Sequence, residues 1–181
     1  MNRPPSPMTT RAAEGLPRRR VTVAELGQMA AAGILGEDER IELIGGEVVP
    51  MSAKGNHHEI LKTALTIYWS RNLPDDLLFT TETTLRLSAD TYLEPDFVFY
   101  PKAAGWQGLT AATALLVVEI ADASFGIADL WVINAVSLET RIHCLPASTG
   151  YRWTDDLSAK ERLVPQSVPA LAVVLGQLEL H

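Results

Sequence analysis

Residues 115–120 read Leu-Leu-Val-Val-Glu-Ile, an almost wholly apolar run whose single charge is Glu119. A run this short, with no polar alternation, fits a central strand covered on both faces. A carboxylate in such surroundings is costly to keep ionised unless it is paired or holds a cation. The chain must therefore provide cover on both sides of this strand and a partner for Glu119.

Other elements can be placed around that strand. Thr22-Val-Ala-Glu25 is a capping box that opens a short helix, and Gly33 is its natural stop. Ile41-Glu-Leu-Ile44 and Glu47-Val-Val-Pro50 flank Gly45-Gly46, a two-residue link suited to a hairpin. Asn56 is placed to cap a second helix from His57 to about Arg71, with Ile60, Leu61, Ala64, Leu65 and Tyr68 on its buried face and Asn72-Leu-Pro74 at its end. Strands are expected over Leu78 to Leu87 and Tyr92 to Tyr100, with a turn at Ser88 to Thr91. Further strands follow at Leu130–Ile133, Thr140–Cys144 and from Gly150, and Leu171 to Leu180 is a weaker apolar tail. The expected class is α/β (α+β): a mixed sheet with flanking helices and an N-terminal hairpin. Residues 1–20, with Pro4, Pro5, Pro7, Pro17 and Arg18-Arg19-Arg20, read as a flexible tail, and residues 21–181 as one domain.

Composition narrows the function classes. Hydrophobic residues make up 47% and charged residues 20%, an ordinary globular balance. No apolar run is long enough to span a bilayer. The lone Cys144 excludes an internal disulfide and a multi-cysteine metal site, and suits a reducing cytoplasm. A net charge of −7 counts against non-specific nucleic-acid binding, although a bound cation or a local basic face can override it.

Two acids stand out as candidates for chemistry. Asp96 lies between Pro95 and Phe97 at the head of an apolar strand, and Glu119 is the one acid of the central run. Carboxylates from neighbouring strands, brought to one spot, repel each other and create an oxygen-rich site suited to Mg²⁺ or Mn²⁺. Such an ion activates water and stabilises charge on a phosphate. The competing interpretation is that both acids mark strand ends facing water. Other candidates are weaker. Adjacent His57 and His58 point about 100° apart on a helix, so His57 reads as a solvent-facing or substrate-edge residue. His143 and Cys144 lack partners at zinc spacing. Ser52 and Ser124 lack a nucleophile-elbow context. Trp106, Trp131 and Trp153 read as packing residues.

The ordered set Glu39-Arg-Ile-Glu42-Leu-Ile-Gly-Gly46-Glu47-Val-Val-Pro-Met51-Ser52, His57 opening a helix, Leu93-Glu94-Pro95-Asp96, and Val117-Val118-Glu119-Ile120 with Ser124 resembles the Uma-two family of bacterial restriction endonucleases in the PD-(D/E)XK superfamily. The resemblance implies a restriction-endonuclease-like fold and a Mg²⁺- or Mn²⁺-dependent centre that hydrolyses DNA phosphodiesters. Asp96 then matches the metal aspartate, Glu119 the glutamate of the (D/E)XK element, and Glu42 or Glu59 a further acid.

The chain departs from that pattern after Glu119. The lysine position holds Ala121, and no Lys or Arg occurs between Lys102 and Arg141. Ser124 to Asp129 runs directly into the next strand, where the family continues into a helix carrying a basic residue. A parallel return normally takes a dozen or more residues. Ala121 to Asp129 could span about 30 Å if extended, so closure is feasible but leaves one sheet face without helical cover. A partner, a homodimer among the candidates, would then be needed to bury it. Losing the lysine should cost rate by orders of magnitude. Three expectations result: an endonuclease of reduced activity, a degenerate binding or assembly module, and a poorly folded damaged copy.

Overall fold

The structure is a computed structural model that describes residues 19–36, 39–51, 54–120, 129–147 and 151–180. Helix α1 (Val23–Ala31) starts at the expected capping box. The Glu25 N–H donates to Thr22 Oγ1 (3.2 Å) and the Thr22 N–H to Glu25 Oε2 (2.9 Å). Thr22→Ala removes that acceptor and is expected to lower stability by about 1 kcal/mol in urea unfolding. Strands β1 (Ile41–Ile44) and β2 (Glu47–Pro50) form the expected hairpin. Gly45 and Gly46 sit at φ 56° and 79°, the left-handed pair that such a two-residue link requires.

Two long strand expectations are corrected. Leu78 to Leu87 divides into β3 (Leu77–Thr80) and β4 (Leu85–Ser88), and Tyr92 to Tyr100 into β5 (Thr91–Leu93) and β6 (Phe97–Pro101). Each run leaves one sheet and enters another. The breaks have local causes: Glu82 takes a left-handed φ of 50°, and Pro95 has no N–H for a ladder. The Glu82 N–H donates to the Pro95 carbonyl (3.1 Å), tying the two crossings together.

The smaller sheet has the order β2-β1-β5-β4. The larger has the order β10-β9-β8-β7-β6-β3 and adds β7 (Leu116–Glu119), β8 (Asp129–Ile133), β9 (Thr140–Pro146) and β10 (Tyr151–Leu157). It is mixed, as expected: β7 and β8 run parallel, with Val117 opposite Leu130 and Glu119 opposite Val132, and the other pairs are antiparallel. The short return is thus made, although residues 121–128 themselves lie outside the described residues.

Helix α2 (Asn56–Asn72) covers one face of this sheet. Its N-cap is Gly55, not Asn56, which is the first helical residue. Its buried stripe is His58, Leu61, Ala64, Leu65 and Trp69, while Ile60 and Tyr68 lie at the boundary. Leu61, Leu65 and Trp69 pack with Phe97, Phe99, Leu116, Val118 and Trp131, together with Leu171, Val173 and Leu175 of the C-terminal segment. The expected bare face is not found among the described residues. Val98, Val117, Leu130 and Val132 are buried there against Leu85, Leu87, Leu109 and Ala114. Strand β4 and the loop before β7 supply cover where a crossover helix would have packed.

Candidate active site

The crossing at Glu94-Pro95-Asp96 leaves Asp96 one residue ahead of β6. Phe97 pairs with Val118 in the antiparallel β6–β7 register, so Asp96 meets Glu119, the last residue of β7. The two are interlocked. The Asp96 N–H donates to Glu119 Oε2 (3.2 Å), and the Ile120 N–H donates to Asp96 Oδ2 (2.9 Å). The Asp96 side chain has no exposed surface. The convergence expected of these two acids is therefore present.

Glu42 joins them from β1. Its Oε1 accepts from the Glu94 N–H (3.1 Å), and burial, aided by the charge of Glu94, holds its carboxyl above the usual range. Glu59, the other candidate for a third acid, is half exposed and pairs with Lys62 (3.1 Å). Of the two, it is Glu42 whose charge reaches Glu119. Burial foremost, then the charge of Asp96 and more weakly that of Glu42, pushes the Glu119 carboxyl up to about 8, against the opposing Asp96 N–H and the Lys54 charge.

Lys54, His58 and Glu82 complete the cluster; His58 belongs to the adjacent histidine pair, a weaker candidate by sequence, and nothing in the sequence marks Lys54 or Glu82. Lys54 Nζ donates to Asp96 Oδ1 (2.7 Å) and to Glu82 Oε1 (2.6 Å). Burial alone would lower the Lys54 pKa, but these hydrogen bonds and charges leave it raised. The hydrogen bond from Lys54, with help from Lys62, brings Glu82 down to about 2. His58 Nε2 lies 3.0 Å from Asp96 Oδ2, while its Nδ1 faces Glu59 Oε1 at 3.2 Å. His57 is exposed, as expected. The signal that could have found His58 is its place at i, with Leu61 at i+3 and Leu65 at i+7, on the buried stripe. No local pattern announces Lys54.

The donor set suits a hard divalent cation. Asp96, Glu119 and Glu42 offer carboxylate oxygens, the ligand type that Mg²⁺ and Mn²⁺ favour. Burial and the neighbouring carboxylates outweigh the Lys54 charge at Glu119 and push it up to about 8, and a divalent ion would supply the further positive charge that favours its ionised form. Among the described residues no three acid, imidazole or thiol groups form a ready-made cage. Lys54 and His58 instead occupy the oxygens of Asp96.

The state of Glu119 has a measurable consequence. From about pH 4.5 to about pH 8 the folded chain keeps a proton that the unfolded chain releases, so Glu119 makes stability fall as pH rises through that window. Without divalent cations, the melting temperature of Glu119→Gln relative to the native chain should therefore climb between about pH 5 and about pH 8. A constant difference would contradict the burial of this acid.

The remaining candidates lie elsewhere. Cys144 is buried beside Asp129 (Sγ to Oδ1, 3.1 Å) and pushed up to about 12, chiefly by burial, so it is no thiolate nucleophile. His143 sits on β9 beside Tyr151. Trp131 is in the core, whereas Trp106 and Trp153 are exposed. Ser52, Ala121 and Ser124 lie outside the described residues, as does the tail up to Arg18.

The fold is a mixed sheet with converging acids at the end of its central strands. A solved structure titled "Crystal structure of a putative nuclease belonging to DUF820 from Anabaena variabilis" shares it: TM-score 0.64 at 14% identity, over 86% of this chain and 96% of that one. The chain belongs to the Uma2 family, whose model, described as "Putative restriction endonuclease", matches residues 23–130. No curated protein matches the chain. No helix among the described residues is long and apolar enough to cross a membrane.

Proposed function

We propose that the chain is a Mg²⁺- or Mn²⁺-dependent DNA endonuclease of the cytoplasm, with Asp96 and Glu119 holding the ion and Glu42 as the third acid. The observation that carries this reading is the interlock of Asp96 and Glu119 at adjacent strand ends. Family membership supports it.

When bound, the ion would supply Lewis acidity toward a phosphate oxygen and toward water. The chain's own groups do the rest. The Ile120 N–H and His58 fix the Asp96 carboxylate in place. Glu42, kept basic by burial, accepts the proton of the attacking water. The water oxygen forms a bond to phosphorus as one P–O ester bond breaks, and the leaving oxygen takes a proton from solvent. The products are a phosphomonoester and an alcohol.

The test is nicking of supercoiled plasmid with Mn²⁺. Nicking is expected, should stop with EDTA, and should be lost in Glu119→Gln. Nicking indifferent to both would contradict the proposal. A second reading, a binding or assembly module without catalysis, is favoured by Ala121 standing at the motif's lysine position. It would show as DNA binding with no nicking under any divalent cation.

A further inference from the structure

We propose that Lys54 delivers to the scissile phosphate the positive charge that a lysine two residues beyond Glu119 would otherwise supply. This inference rests on the phosphodiesterase reading above and names a residue that the motif does not contain.

The need for such a group is chemical. As water attacks, negative charge grows on the non-bridging phosphate oxygens, and a donor aimed at them lowers the barrier. With Ala121 in the motif position and no Lys or Arg from 103 to 140, the charge must come from another element. Among the described residues, Arg40, Lys54 and Lys62 are the basic side chains paired with acids around Glu82. Arg40 is 45% exposed and reaches Glu82 and Glu94 only at 3.7 Å. Lys62 pairs with Glu59 and Glu82. Lys54 is the one that touches Asp96, and its side chain is 14% exposed.

Lys54 is also held from two sides. Asp96 Oδ1 and Glu82 Oε1 each take one of its three N–H donors, which leaves a third for a phosphate oxygen. Glu82 is a positioning residue: its Oε1 also meets Arg40 (3.7 Å) and Lys62 (3.2 Å), which hold the carboxylate that Lys54 bonds. Lys54 arrives from the segment before α2, so it approaches the acids from a different part of the chain than the residue two positions after Glu119. The function of the motif's lysine is thereby moved to another part of the chain, which meets Asp96 across 42 positions of sequence.

The test uses the full chain and a fluorescein-labelled DNA duplex with Ca²⁺, read by anisotropy over a salt series, beside plasmid nicking with Mn²⁺. Lys54→Met should weaken duplex binding roughly tenfold and reduce the steepness of log K against log salt by about 0.9, the loss of one phosphate contact. Lys54→Arg should restore the slope, which a merely structural role would not require. Nicking should fall by about 10²–10³ in Lys54→Met and recover in part in Lys54→Arg. Should Lys54→Met fail to melt cooperatively, Lys54→Gln, which keeps a donor for Asp96 without the charge, gives the same readings. Unchanged affinity and salt slope overturn the role of Lys54 alone. Native nicking that is absent, or indifferent to Glu119→Gln, overturns the phosphodiesterase reading, and the duplex arm still decides on Lys54. A native chain that binds no duplex overturns both.

Discussion

Asp96→Ala is expected to abolish Mn²⁺ binding and to slow plasmid nicking by about a thousandfold or more. A metal ligand contributes several kcal/mol of charge stabilisation, and about 4 kcal/mol corresponds to a thousandfold in rate. The side chain has no exposed surface and serves three partners, Lys54, His58 and the Ile120 N–H, while the backbone N–H of the same residue donates to Glu119. Alanine leaves Lys54 without its inner counter-charge and the Ile120 N–H without an acceptor, so a loss of stability accompanies the loss of function. Asp96→Asn separates the two effects. The amide oxygen can still accept from Ile120, although its NH2 then faces Lys54, so the variant should recover part of the stability that alanine loses while Mn²⁺ binding is lost. An Asp96→Asn protein that binds Mn²⁺ and nicks like the native chain would remove this residue from the mechanism.

Trp69→Ala is the substitution expected to cost most stability. The indole is fully buried and meets Phe97 and Phe99 edge-on, with centroids 5.0 and 4.9 Å away and interplanar angles of 72° and 77°. Its Nε1–H donates to the Leu171 carbonyl (3.2 Å), fastening the C-terminal segment to α2. Truncation at such a site costs about 3–5 kcal/mol through the cavity alone, and it strands a buried carbonyl as well. The urea midpoint should drop accordingly, with an unchanged denaturant slope if the unfolded state is unaffected. Trp106, 61% exposed, is the control: Trp106→Ala should stay within about 0.5 kcal/mol of the native chain. A Trp69→Ala loss as small as that of Trp106→Ala would mean that α2 is not the cover on which the site's strands rest. Phe97 follows Asp96 directly, so the same packing also fixes where that carboxylate points.

The two acids were legible because Glu119 breaks an apolar run and Asp96 heads one, and an acid there needs a physical reason. The hairpin at Gly45-Gly46 and the capping box at Thr22 were legible for a similar reason: their chemistry is local. The strand breaks at 81–84 and 94–96 were not. Residues 78–87 and 92–100 keep strand-like composition throughout, and what divides them is a sheet change enforced by Glu82, Pro95 and long-range pairing. The buried face of α2 was legible to within a small rotation, which was enough to miss His58 and Trp69. Lys54 could not be read at all, because its partner Asp96 lies across the fold and nothing beside it in the chain marks it. The cover on the second sheet face is likewise not legible, since it comes from the loop before β7 and from β4, whose strand-like composition runs on unbroken from β3.

The most direct test of the site is anomalous diffraction from crystals soaked in Mn²⁺. The expected result is a single strong peak within coordination distance, about 2.1 Å, of carboxylate oxygens from both Asp96 and Glu119. A peak bound to other residues, or no peak between these two acids at saturating Mn²⁺, would contradict a shared metal site.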